Sequence, residues 1–300
     1  MFFCTKTIAK FDKKCYNRTR VIISKNNNRR KKMRPIAISL LICAAGAAAI
    51  CAVFGIFPWL LPIFLGLALA VNLLIWLVLW IFSLFVSKKK VYEKPSRFYS
   101  RMLNFGYAYI CEGARVKIKS SGTEKVPEKP FLLVSNHLSQ LDNMIQCLVL
   151  KPRSLAYITK ESLFKIPIVG RTIWRCCYMP IDRKSLRAGK NAVEIAEDYI
   201  RRGALSVGVY PEGTRGDGVN LGKFHAGCFK IAVKTGCPVV VAAIQGTKDA
   251  HKRTPWRSTR VRFDIIDVID PAGHKTVELS ELVRGKISAF LESEKTEIQT

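Results

Sequence analysis

The chain has 300 residues with 49 Lys plus Arg against 22 Asp plus Glu, a formal net charge of +27. That is long enough for one large domain or two small ones. The surplus of cations points to anionic partners: nucleic acid, lipid headgroups or polyphosphates. Zinc-finger spacing, a helix-turn-helix signature and an aromatic-basic RNA-binding run are all missing from the sequence, so the reading is of no nucleic-acid partner.

Residues 1–35 read as a basic tail, with twelve Lys or Arg against Asp12 alone. Residues 36–86 follow without a single charge, far more than the roughly 20 residues of one crossing. Phe57-Pro58-Trp59-Leu60-Leu61-Pro62 interrupts the run, because proline breaks helices and Trp favours the interface. The expectation is a transmembrane helical hairpin, roughly Ile36–Ile56 and Leu61–Val86. Basic flanks at Arg29–Arg34 and Lys88–Lys90 put both ends in the cytoplasm. A shallow hairpin entering one leaflet is the alternative. The apolar run starts too late and is too long for a signal peptide.

Residues 87–300 read as a cytosolic α/β domain. Lys94 to Gly113 is a lead-in helix. FLLVS, SLAYI, ALSVGVY and PVVVAAI are strands, the last apolar throughout and ALSVGVY interrupted only by Ser206. Helices lie between them, including Leu186–Arg202 with Ser185 as N-cap, and Phe224–Thr235 ended by Gly236. Apolar strands separated by helices predict a mainly parallel sheet flanked by helices. Arg260–Ile266 alternates and reads as an edge strand, and Ser280–Glu292 as the closing helix. Ten scattered cysteines and four scattered histidines give no metal-ligand spacing. The cysteines read as reduced and buried.

Ligands of such sheets bind where strands exit at their carboxyl ends. Three polar clusters fall at such exits. The first is Asn136-His137 with Ser139 and Asp142. Residues five apart on a regular helix diverge by about 140°, so His137 and Asp142 pair only if the helix starts after the histidine. Ser139 as N-cap allows that, with Asp142 in the first turn. The pair reads either as a general base with its orienting carboxylate or as a structural bond capping a helix. The second cluster, Ile181-Asp182-Arg183, and the third, Pro211-Glu212-Gly213-Thr214-Arg215-Gly216, each carry an arginine fork suited to phosphate. Gly213 permits a tight turn.

Together these blocks resemble the glycerolipid acyltransferase family. Asn136 to Asp142 matches its NHxSxxD, Tyr178 to Arg183 its phosphate-site block, and Pro211 to Arg215 its PEGTR. Pro238-Val239-Val240-Val241-Ala242 matches the fourth block except at Val241, where the family usually has a second proline. Lys160 and Lys223-Phe224 look like family context. The resemblance implies acyl transfer from acyl-CoA or acyl-carrier protein to lysophosphatidic acid, at the cytoplasmic face of the cell membrane, with no bound cofactor. It makes His137 the base, oriented by Asp142. Arg183 and Arg215 would hold substrate phosphate, and Asn136, Ser139, Glu212, Gly213 and Thr214 would position the substrate or its loops. Without a G-x-S-x-G elbow, direct transfer is the simplest route. Glycerol-3-phosphate or a lyso-aminolipid is the alternative acceptor. The alternative of a different class is a catalytically inactive membrane scaffold.

Overall fold

The structure, a computed structural model, describes residues 35–55, 59–151, 153–182, 185–218, 220–254 and 256–299. The basic tail before Pro35 and the candidate phosphate ligand Arg183 lie outside them.

Two apolar helices come first, α1 (Pro35–Phe54) and α2 (Leu60–Leu84). They pack side by side, with the side chain of Leu67 beside Gly46. Large apolar side chains such as Leu41, Leu65, Leu69 and Leu73 are left exposed. Both helices are long and apolar enough to cross a membrane.

Helix α3 (Arg97–Gly113) has two apolar sides. Tyr107, Ala108 and Cys111 are buried on the sheet side. Phe98 and Tyr109 face α2, where Phe98 meets Phe82 edge-on at 5.0 Å and Tyr109 meets Trp76 at 6.3 Å. The Tyr109 hydroxyl donates to Asn72. At the far end of α3, both Glu112 carboxylate oxygens accept the first free N–H groups of α1, from Ile36 at 2.8 Å and Ala37 at 3.1 Å. A carboxylate at a helix N-terminus satisfies donors that have no partner inside the helix.

The strands are β1 (Val116–Ser121), β2 (Leu132–Ser135), β3 (Leu155–Lys160), β4 (Met179–Ile181), β5 (Ser206–Val209), β6 (Val239–Gln245) and β7 (Thr259–Ile269). They form a seven-stranded sheet in the order β1-β7-β6-β2-β5-β3-β4. β2 to β6 are parallel, while β7 runs antiparallel to β6 and carries β1 parallel to itself. The sheet is therefore mixed but mostly parallel.

Side chains alternate across β2: Leu132 and Val134 join one apolar cluster, Phe131 and Leu133 the other. Each face is thus packed, as a central parallel strand requires. Fully burying one such side chain stabilises by about 1.5–3 kcal/mol.

Helices α4 (Leu141–Val149), α5 (Val169–Arg175), α6 (Leu186–Arg201), α7 (Lys230–Thr235), α8 (Ala250–Arg253) and α9 (Thr276–Gln299) complete the order. Ser185 caps α6 by accepting from Ala188 N at 3.2 Å. Gly236, at φ +67°, ends α7.

Three expectations need correction. The segment 260–266 is not an edge: β1 covers β7 on its outer side. Only alternate residues of β1 are shielded, and Lys117 and Lys119 point out, so its sequence reads as polar. The helix expected from Phe224 begins with a 3-10 turn, Ala226–Phe229, and becomes α-helical only at Lys230. Finally, α9 starts at Thr276 rather than Ser280.

Candidate active site

Strand β2 lies between β6 and β5 and delivers Asn136 and His137 to the carboxyl end of the parallel strands. Asn136 is buried and clamps the exit to β6, donating to Ile244 O at 2.9 Å and accepting from Ile244 N at 2.8 Å. This reciprocal pair fixes where the next residue sits.

His137 is held from four directions. Its N–H donates to Glu212 Oε1 at 2.9 Å, and its carbonyl accepts from Gly216 N at 2.8 Å. Its Nδ1 lies 2.9 Å from Asp142 Oδ2. Its ring stacks on Tyr210 with centroids 4.1 Å apart and planes 14° from parallel. The side chain is 12% exposed and that of Asp142 is 0% exposed.

Asp142 is the most heavily bonded group in the site. Oδ2 also accepts from Leu138 N at 2.6 Å and Ser139 N at 2.8 Å, and Oδ1 accepts from the Thr247 hydroxyl at 2.6 Å. A buried carboxylate is costly unless donors surround it, and here three neighbours besides the histidine supply them. Helix α4 starts at Leu141, so Gln140 rather than Ser139 occupies the N-cap position. Ser139 contributes its hydroxyl to Leu141 N at 3.3 Å. Asp142 reaches back to the N–H groups of Leu138 and Ser139, which precede the helix, while the Ser139 hydroxyl takes a first-turn N–H, the reciprocal bonding expected of the two.

The Pro211–Gly216 loop follows β5. Glu212 is buried, and both its oxygens are used: Oε1 by His137 N and Oε2 by Gly222 N at 3.0 Å. It ties three segments together. Gly213 sits at φ +69°, a left-handed conformation that glycine adopts without strain. Thr214 and Arg215 are exposed, and Arg215 makes no ion pair or hydrogen bond among the described residues. The neighbouring Gly216 is the residue bonded to His137, so the loop brings Arg215 alongside the histidine by chain connection. Strand β4 ends at Ile181, two residues before Arg183, at the same end of the sheet. Lys160 closes β3 there as well. Val241 is buried within β6, at a register shift in the β6–β7 ladder.

Two neighbours of the pair escaped the sequence reading. Thr247 lies two residues beyond β6, so a fourth strand exit also contributes a polar group. Tyr210 directly precedes the PEGTR block. It begins a ladder of rings behind the histidine, with Tyr157 stacked at 5.6 Å. The hydroxyls of Tyr157 and Tyr210 both donate to Gln146 Oε1, and Gln146 donates to Ser135. Burial, reinforced by the Asp142 charge, holds the Tyr210 phenol well above its ordinary range, so it stays neutral. Gly208 makes room for the ladder: a Cβ there would lie 2.3 Å from the Tyr157 ring.

The described cysteines form no disulfides among themselves, and all but Cys228 are buried. Burial pushes the thiols of Cys147 and Cys176 up to about 12, which removes them as thiolate nucleophiles near neutral pH. Among the described residues, no three His, Cys, Asp or Glu side chains are grouped to hold a metal ion.

A buried carboxylate fixing one imidazole nitrogen leaves the other, Nε2, to exchange a proton with a bound hydroxyl. The family model described as acyltransferase matches residues 117–245. The chloroplastic 1-acyl-sn-glycerol-3-phosphate acyltransferase of Brassica napus is 36% identical over 133 residues, 44% of this chain and 38% of that protein. The chain thus spans little more than a third of that relative. The 1-acyl-sn-glycerol-3-phosphate acyltransferase of Haemophilus influenzae is 26% identical over 178 residues, covering 59% of this chain and 73% of the relative. The crystal structure of the 1-acyl-sn-glycerophosphate acyltransferase PlsC from Thermotoga maritima superposes with a TM-score of 0.51 and 26% identity, over 73% of this chain and 95% of the other. With its motifs, its sheet and these relationships in agreement, residues 117–245 belong to the acyltransferase domain family, and the chain is similar to 1-acyl-sn-glycerol-3-phosphate acyltransferases.

Proposed function

We propose that the chain transfers a fatty acyl group from an acyl thioester, acyl-CoA or acyl-carrier protein, to the free hydroxyl of 1-acylglycerol-3-phosphate, giving phosphatidic acid. The observation that carries this is the His137–Asp142 pair, its carboxylate fully buried among donors, beside the PEGTR loop. An alcohol attacks a thioester slowly at neutral pH. His137 Nε2 takes the hydroxyl proton as the oxygen bonds to the thioester carbonyl carbon. The C–S bond then breaks, and the same proton passes to the departing thiolate. Asp142 stabilises the imidazolium between the two steps. Asn136 and Glu212 hold the turn, and Ser139, Gly213 and Thr214 shape its rim. Membranes containing the protein, assayed with lysophosphatidic acid, glycerol-3-phosphate and a lyso-aminolipid against both donors, test the assignment. A preference for either of the other acceptors would reassign the substrate.

Arg183 and Arg215 are proposed to hold the acceptor phosphate. Arg183→Ala and Arg215→Ala are each expected to weaken use of the phosphorylated acceptor roughly ten- to hundredfold, the loss of a charge-assisted contact. The measurement is rate against acceptor concentration at saturating donor. Unchanged acceptor dependence in both variants would move the phosphate elsewhere. Lysine is expected to rescue in part, since it carries the charge without the fork.

Residues 1–35 are proposed as a basic tail, 36–86 as the membrane hairpin and 87–300 as the catalytic domain on the cytoplasmic face. One contact favours the shallow form of the hairpin over two full crossings. α3 packs along α2 from Asn72 to Phe82. The part of α2 beyond it, Leu60–Val71, extends about 18 Å at 1.5 Å per residue, short of a hydrocarbon core of about 30 Å. A probe cysteine at Pro58, in a background without native cysteines, decides. Labelling by an impermeant reagent outside intact cells means two crossings. Protection there, with labelling in opened cells, means the shallow hairpin. Outside labelling of a probe at Lys89 would overturn the cytoplasmic placement.

A further inference from the structure

We infer that the segment Lys248–Arg260 is a second membrane contact, which recognises anionic phospholipid headgroups at the base of the hairpin and inserts Trp256 among them. Trp256 is 84% exposed, an unusual place for the largest apolar side chain. Exposed along the same segment are Lys248, His251, Lys252, Arg253, Arg257 and Arg260. The single acidic residue of the segment, Asp249, is engaged by Lys252 at 3.2 Å. Trp with a rim of cations is the composition that settles at a lipid interface: the indole prefers the headgroup level, and clustered Lys and Arg are drawn to anionic lipid.

Position supports the same partner. Arg115 Nη1 donates to Trp256 O at 3.1 Å, Thr254 Oγ1 donates to Ala114 O at 3.4 Å, and Thr259 N donates to Arg115 O at 3.2 Å. The segment is thus fastened to the residues that follow α3. Three residues before Arg115, Glu112 accepts the first N–H groups of α1. Trp256 is therefore tied, through Arg115 and Glu112, to the point where the apolar hairpin begins. A hairpin alone lets the catalytic domain swing about one attachment. A second contact beside it fixes the orientation of the domain towards the leaflet that supplies its acceptor.

The inference rests on the hairpin being in the membrane, and the test reads both. The full chain is reconstituted in vesicles of phosphatidylcholine alone, or of equal parts phosphatidylcholine and phosphatidylglycerol, with and without brominated acyl chains. With Trp174 replaced by Phe throughout, fluorescence of the parent minus that of Trp256→Phe isolates Trp256, while Trp59, Trp76 and Trp80 report the hairpin. In the mixed vesicles, the Trp256 signal is expected to be quenched by bromolipid and shielded from acrylamide. Combined Lys252→Gln, Arg253→Gln and Arg257→Gln should return it to water while hairpin quenching persists. Three results overturn the inference: Trp256 open to acrylamide in mixed vesicles while the hairpin is quenched; equal quenching in both lipids, unaffected by the triple substitution; or shielding that tracks the protein-to-lipid ratio, which would mean a second copy. Unquenched hairpin tryptophans would overturn the membrane reading itself.

Discussion

His137→Ala is expected to lower acyl-transfer turnover by about 10²–10⁴-fold, the usual range for a positioned general base, while the protein stays folded. The separation of those two effects follows from how the residue is held. Its main-chain N–H and carbonyl are bonded to Glu212 and Gly216, and neither bond depends on the side chain. Asp142 keeps its bonds from Leu138 N, Ser139 N and the Thr247 hydroxyl, so the carboxylate is not left stranded when the imidazole is removed. What disappears is the Nδ1 contact and the ring stacked on Tyr210. Turnover at saturating donor and acceptor, beside a thermal melt of the same preparation, measures both. Near-normal turnover in a well-folded variant would mean that the hydroxyl loses its proton to another group.

How much of this site was legible in the sequence depends on which kind of information each residue carries. His137, Asp142 and Glu212 stand in short blocks at strand exits, and strands with apolar residues at every position announce themselves. The 3.6-residue helical period even foretold that the helix must start after the histidine. Thr247 and Gln146 carry no such signal, since each reaches the site across the sheet or from a helix interior and depends on strand order. That order, with β2 between β5 and β6, is not written in any local pattern. The place of β1 was hidden for a related reason. Its exposed lysines alternate with half-buried Val116 and Ile118, so its face towards the core becomes evident only once β7 is seen beside it. The two-sided character of α3 likewise blurred its periodicity: one side packs on the sheet and the other on α2.

Asp142→Asn is expected to approach the loss expected on removing the histidine, on the order of a hundredfold or more, and the local bonding makes this a test of charge alone. Oδ2 accepts from His137, Leu138 N and Ser139 N, whereas Oδ1 accepts only from the Thr247 hydroxyl. The two backbone N–H groups can only donate, so the amide oxygen of asparagine must take the place of Oδ2. The amide NH₂ then faces Thr247, whose hydroxyl rotates to accept. The turn and the imidazole tautomer both survive, and only the anion that stabilises the imidazolium is lost. Thr247→Val provides the contrast. It removes one neutral donor and keeps the charge, so a loss of about tenfold or less is expected. A D142N protein with full turnover would make the pair structural. A T247V protein as slow as D142N would show that placement of the carboxylate, rather than its charge, sets the rate. Residues acting as one unit are not additive. If Asp142 acts only through His137, the double variant H137A/D142N turns over no more slowly than H137A, and a further large drop would assign the carboxylate a role of its own.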